Sequence, residues 1–351
     1  MKGDSLGNFV LVTIIKTKVM KKVQFFVGID VSKATLDVFI HGLNLYFVVE
    51  NSLQGFVSLL EKVMTGTKCK KEELFFCFEN TGKYSRMLSV FLQSENILFT
   101  MESALQIKKS LGITRGKNDR IDAKRIAHYA YEKRESLVPT ILPGAKIDQI
   151  RSLISLREKL LKHRTAYKNG ISDLHDCYED GESELIKEVQ QRLISNLNDE
   201  ITRVEQKIES IIESDESIYR NYKLILSIRG VGRILGFYLI GYTANFTSFA
   251  NARTFACFAG IAPFSYSSGT VKGTPRVHPF ANKMLKALLN LAAMSAIKYQ
   301  GEYLQYFNKR VNELGKNKMS TLNIIRNKIV YRVFAVVQRQ TPYVDLLKFA
   351  A

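Results

Sequence analysis

The chain has 351 residues, 46% of them hydrophobic, enough to bury more than one core, so two or three domains are expected. With 51 lysines and arginines against 33 aspartates and glutamates the formal charge is +18, and the simplest partner for such a surface is a polyanion. Cys69, Cys77, Cys177 and Cys257 form no Cys-x-x-Cys pair and have no histidine at finger spacing, which argues against a structural zinc site or a disulfide framework.

The first apolar run, Phe9 to Ile15, is too short for a membrane helix and has no cleavage pattern behind it, so a soluble cytoplasmic protein with no membrane partner is expected. Residues 1–22 carry no periodic pattern and read as an N-terminal extension. QFFVGIDV, TLDVFI and LNLYFVVE then read as three short strands of an antiparallel meander, followed by a helix from about Leu53 to Met64. A buried strand LFFCFE, a helix from about Tyr84, a strand ILFTM and helical segments from about Ala104 to Lys133 complete the order of a ribonuclease H-like α/β domain over residues 23–140. Beyond Pro143 and Gly144, leucine and isoleucine recur at three- and four-residue steps, which predicts an antiparallel helical pair or a coiled-coil linker over 145–220, interrupted near Glu179 to Glu184. A second functional domain, mainly α, is expected over 221–345.

Asp30, in FVGIDVSK, ends an apolar strand, and Glu79, in FFCFENTGKYS, repeats that arrangement. Asp119 and Asp122, in KNDRIDAKRIAHYA, stand three apart on a predicted helix and so share a face. Four carboxylates from two strands and a helix suit Mg²⁺ or Mn²⁺, which prefer hard oxygen ligands and serve phosphoryl transfer. Each acid alone has a plainer use: Asp30 as a turn cap, Asp119 as a helix N-cap, Asp122 as a first-turn acid. The combination favours the site, because the helical pair sits among Lys108, Lys109, Arg115, Lys117, Arg120, Lys124 and Arg125, cations suited to phosphates. His128 reads as a packing or phosphate-contacting residue rather than a ligand.

Further on, Gly230 and Gly232 stand between two apolar helical runs, with Arg233 next to them. Such a pair either grips a phosphate through backbone amides or permits close helix packing, and both readings stand. Ser267, Ser268 and Gly269 follow AGIAPFSY and precede a basic stretch with Lys272 and Arg276, read as a flexible loop leading into a helix that carries Lys283. A serine there is placed to meet DNA, but its hydroxyl needs activation, and a Ser-Gly turn is the commoner use of these residues.

Taken together, GIDVSK, the E-x-T-G-x-Y segment, the K-x-D-x-x-D-A-x-x-I-A segment and AGIAP-x-x-x-S-S-G resemble the bridge-RNA-guided DEDD transposases of insertion-sequence family 110, in order and from about residue 24 to about 300. The resemblance implies a RuvC-like N-terminal domain, a coiled-coil linker and a C-terminal transposase domain whose serine forms a phosphoserine link to DNA. It implies that Asp30, Glu79, Asp119 and Asp122 bind Mg²⁺, that Ser268 is the nucleophile with Ser267 the second choice, and that the partners are target and donor DNA, a non-coding bridge RNA, and further copies of the chain, as dimers assembling to a tetramer. One departure is RVHPFANKMLKALL, where many relatives have a serine-lysine-glycine pattern leading to an arginine; Lys283 and Lys286 are the substitute phosphate contacts. Two other readings remain: a RuvC-like nuclease using metal-activated water, with a C-terminal domain that only binds DNA, and a nucleic-acid binding protein with an inactive ribonuclease H-like fold.

Overall fold

The computed structural model of the chain describes residues 22–110, 118–177, 184–268, 271–279, 281–299 and 301–345, and for 174–177, 266–268 and 271–272 the backbone only. Residues 1–21, Arg115, Lys117, most of the interruption at 179–184, and Gly269 lie outside the described residues. Two compact units divide the chain between Leu142 and Pro143.

The first unit is a five-stranded sheet in the order β3-β2-β1-β4-β5. β1 (Phe25–Val31), β2 (Thr35–Ile40) and β3 (Leu45–Glu50) are antiparallel neighbours, whereas β4 (Leu74–Glu79) and β5 (Leu98–Glu102) run parallel to β1. Because side chains alternate across a strand, β1 and β4 feed two cores. Val27, Ile29, Phe76 and Phe78 join Phe56, Leu59 and Leu88 of α1 (Leu53–Thr67) and α2 (Lys83–Ser94) on one face. Phe26, Phe75 and Cys77 join Ile107 of α3 (Ala104–Ser110) and Ile126, Tyr129 and Ala130 of α4 (Asp119–Glu132) on the other. Gly28 sets how closely that second layer approaches: a Cβ there would lie 2.2 Å from the Ala127 amide nitrogen and 2.4 Å from the Ala123 carbonyl oxygen. Backbone meets backbone at this point, so α4 is drawn down onto β1. This mixed α/β sheet is consistent with a RuvC-like domain.

The second unit is mostly helical. α5 (Ala145–Cys177) and α6 (Glu184–Glu213) form an antiparallel pair, since Lys146 reaches Ser214, Arg157 reaches Glu205 and Arg164 reaches Asn198. The base of the pair belongs to the unit's own core: Ile150, Ile154, Ile208 and Ile212 pack with the helices that follow. Those are α7 (Glu216–Leu226), α8 (Arg233–Thr243), α9 (Ala252–Phe258), α10 (Lys283–Ala296), α11 (Glu302–Asn308) and α12 (Lys318–Arg339). Ile325, Ile329, Val330, Val333 and Val336 of α12 are fully buried at its centre.

Between α9 and α10 lies an antiparallel hairpin, β6 (Pro263–Ser268) and β7 (Val271–Val277). This corrects the expectation of a flexible loop. Ser267 pairs with Lys272 and Ser268 with Val271, so both serines are strand residues at the tip of a two-stranded ribbon. The alternation was hidden because Ser, Gly and Thr carry little of the apolar pattern that marks a strand. No described helix is long and apolar enough to cross a membrane.

Candidate active site

Asp30 is the sixth residue of β1 and Glu79 the last of β4, and because these strands are parallel both acids stand at the same end of the sheet. They share the face covered by α4. That helix starts over them: Asn118 caps it by accepting a hydrogen bond from the Arg120 amide, which makes Asp119 its first residue and puts Asp122 in its first turn. Asn118, not Asp119, is thus the N-cap.

The electrostatics record how closely the acids gather. Burial, reinforced by Asp122, Asp119, Glu79 and Asp37, raises the Asp30 carboxyl to about 6. Burial also raises Glu79, opposed by Lys108 and reinforced by Asp122. Like charges this near each other disfavour ionisation unless a cation intervenes. Asp122 has one, a 2.8 Å pair with Arg125 one turn along the helix. Among the described residues no three acids, histidines or cysteines stand close enough to enclose one ion.

Two further acids belong to this end and were missed in the sequence. Asp37 faces Asp30 across the β1–β2 register, is 6% exposed, and accepts a 2.5 Å hydrogen bond from the Tyr46 hydroxyl, which pushes the Tyr46 pKa up to about 12. Its signal was an acid inside an otherwise buried strand, TLDVFI. Glu102 ends β5 beside Glu79 and is raised by burial, partly offset by its hydrogen bond with Thr100. It repeats the strand-end pattern of Glu79.

The cations expected to hold nucleic acid divide into free and committed ones. Arg120 lies 5.0 Å over the Tyr46 ring and Lys124 5.6 Å over Phe39, both exposed on α4. Arg125 is engaged with Asp122. Arg233 is engaged as well: it pairs with Glu205 at 2.7 Å and Glu209 at 3.3 Å and stacks near Phe237. Gly230 has a packing role, since with φ at 85° its missing Cβ would lie 2.3 Å from the Ala292 carbonyl oxygen of α10, whereas Gly232, the N-cap of α8, borders open space. Arg276 is exposed on β7 opposite Phe264, Lys272 is described through its backbone alone, and Lys283 is exposed at the start of α10 after the cap Asn282, with Lys286 half-buried one turn on.

The root of the serine hairpin is pinned. Asn323 and Asn327 of α12 each donate a 2.9 Å hydrogen bond to the Ile261 carbonyl, and Arg253 donates one of 3.0 Å to the Pro263 carbonyl while lying over Phe264. Sequence reasoning had no route to the two asparagine contacts, which join residues more than sixty positions apart.

The first unit thus has an acid-lined sheet end and the second a serine-tipped hairpin. Residues 27–178 match the DEDD transposase model of the insertion-sequence 110 group, and residues 222–308 match the model described as the transposase IS116/IS110/IS902 family. The chain is 26% identical over 330 residues to the pilin gene-inverting protein of Moraxella lacunata, covering 91% of this chain and 97% of the relative. It is 25% identical over the same length and coverage to the Moraxella bovis protein of that name, and 23% identical over 258 residues to the transposase for insertion sequence element IS1111A of Coxiella burnetii, covering 65% of this chain and 68% of that one. The protein is a DNA transposase or recombinase. It belongs to the IS110 family of transposases.

Proposed function

We propose that this transposase cuts and rejoins the DNA of an insertion sequence through a phosphoserine intermediate, with Mg²⁺ held by Asp30, Glu79, Asp119 and Asp122, and that a non-coding bridge RNA selects target and donor DNA. The observation that carries the metal reading is that Asp30 and Glu79 stand at one end of the sheet, on the face covered by the helix whose first turn holds Asp119 and Asp122; burial and four neighbouring acids raise the half-buried Asp30 carboxyl to about 6. An oxygen-only donor set with excess negative charge fits a hard divalent cation. A bound ion supplies Lewis-acid polarisation of a phosphoryl oxygen and acidifies an attacking hydroxyl.

The chain's own residues do the rest. Ser268, with Ser267 as the second choice, forms an Oγ–phosphorus bond as a DNA phosphorus–oxygen bond breaks; the serine proton leaves and the departing DNA oxygen takes one up. Rejoining reverses this, with a DNA hydroxyl attacking and Oγ departing. Lys124, Arg120, Lys117, Lys272, Arg276 and Lys283 contact phosphates, with Arg125 and Arg233 committed first to carboxylates. Gly232 keeps its phosphate-gripping reading because open space surrounds it. The acids and the serine lie in separate units, and the reaction needs them at one phosphate, in one chain or between copies in a dimer or tetramer.

A second reading rests on the acids being complete within the first unit: a RuvC-like nuclease using activated water. The test is incubation with Mg²⁺, the RNA and labelled target and donor DNA, followed by a denaturing gel. A covalent protein–DNA adduct in wild type, lost in Asp122→Ala and in one of Ser268→Ala and Ser267→Ala, supports the serine mechanism. Cleavage without any adduct, persisting in both serine variants, sinks it.

A further inference from the structure

Leading away from the acid end, α4 presents Arg120, Lys124 and His128 at four-residue steps, one exposed stripe spanning about 12 Å of helix. Beneath it lies a row of rings from β2, β3 and the turn between them. Arg120 lies over Tyr46 and Lys124 over Phe39. His41 stacks on His128 at 5.7 Å and on Tyr131 at 4.2 Å, and Arg134 closes the row 4.3 Å over Tyr131. A groove of about 260 Å³ opens there, lined by Phe39, His41, Gly42, Asn44, Lys124 and His128. Among the described residues neither Arg120 nor Lys124 has a carboxylate at ion-pair distance, although both stand on a helix that begins with Asp119 and Asp122. The groove is unused by the chemistry proposed at the acids.

We propose that this stripe seats unpaired DNA, with phosphates on Arg120 and Lys124 and one base stacked in the groove lined by Phe39, His41 and His128. Duplex DNA keeps its bases stacked on one another and offers rings only its edges, whereas a single strand presents faces that aromatic platforms take without regard to sequence. The occupant is DNA because the stripe begins at the acids, and the strand that is cut must leave them on one side or the other. In this way the inference rests on the acid end being the place of cleavage. Burial and the neighbouring His128 hold His41 below its usual pKa, opposed by Glu132 and reinforced by Arg134, which favours a neutral, stackable ring near pH 7.

The test uses the full-length protein without metal and a short oligodeoxythymidine carrying one 2-aminopurine, whose fluorescence falls when it stacks. Wild type quenches the probe, and His128→Ala weakens binding roughly 5- to 150-fold with loss of quenching, the range found for removing one stacking partner. His128→Phe, which keeps a flat ring and removes the polar nitrogens, retains both; this second variant separates stacking from misfolding. Undiminished quenching in His128→Ala, or loss in His128→Phe with the thermal midpoint unchanged, overturns the proposal. So does tighter, equally quenched binding of the matching oligoribonucleotide. If His128→Ala loses quenching while no DNA is cleaved with Mg²⁺ by wild type, the stripe stands and the cleavage reading fails; cleavage intact with no quenching in wild type gives the reverse.

Discussion

Each unit partly buries a carboxylate, and the two are treated in opposite ways. Glu205 in the second unit is 9% exposed and sits between Arg157, at 2.7 Å, and Arg233, also at 2.7 Å. Asp30 in the first is surrounded by Asp37, Glu79, Asp119 and Asp122, and its carboxyl rises to about 6 in consequence. A fold that needs an interior charge only for architecture supplies its counter-charge from its own chain. Where the chain gathers like charges and leaves them under-compensated, the carboxyl takes up a proton more readily or accepts an external cation, and that contrast separates a structural ion pair from a candidate metal centre.

Substitution should therefore move the two acids in opposite directions. The largest effect is expected from Asp30→Asn: cleavage of labelled DNA with Mg²⁺ falls on the order of 10³-fold, since several kcal/mol of transition-state stabilisation leave with the ligand. The same change stabilises the metal-free protein near pH 8. Because the folded-state pKa of Asp30 lies above the ordinary aspartate value, the native state holds its proton more tightly than the unfolded chain. The ionised carboxylate thus costs stability above about pH 6, and that cost fades as pH falls toward 4. Thermal midpoints of wild type and Asp30→Asn should converge across that window, and added Mg²⁺ should raise only the wild-type value; a midpoint that drops in the metal-free variant at pH 8 breaks the comparison.

Glu205→Ala should do the reverse, destabilising by about 3–5 kcal/mol in urea titration because Arg157 is left buried without its partner. Next in size, Gly230→Ala forces a Cβ into the Ala292 carbonyl at a left-handed backbone position and should cost about 1–3 kcal/mol. Gly232→Ala should stay within about 0.5 kcal/mol, its surroundings being open. If Gly232→Ala nevertheless weakens DNA binding while Gly230→Ala acts through stability alone, the phosphate grip belongs to one glycine and the packing role to the other. A local effect is expected from Asn327→Ala, about 1 kcal/mol for one of the two hydrogen bonds on the Ile261 carbonyl. Hydrogen exchange should rise in β6 and β7 ahead of the rest of the unit, and uniform exchange throughout would show that the pin does not govern the hairpin.

Much of this was legible along the chain. Apolar runs ending in an acid marked β1 and β4, and the three-residue spacing of Asp119 and Asp122 marked a helix face, because these signals are local and periodic. Asp37 and Glu102 escaped because their significance comes from register: each becomes a neighbour of Asp30 or Glu79 only when the strands pair. Arg233 was legible as a cation but not as a committed one, since Glu205 and Glu209 lie on a different helix. The serine segment read as a loop because its pairing is between backbones, which residue type scarcely records.

What the sequence determined by itself was thus the inventory: a polyanion-binding charge, the acids at strand ends, the glycines and the serine, all set by composition and by periods of two and 3.6 residues. Which acids crowd together, which arginines remain available and what shape carries the serines were decided by tertiary structure alone, because each depends on contacts between residues far apart in the chain that only strand register and helix packing bring into reach.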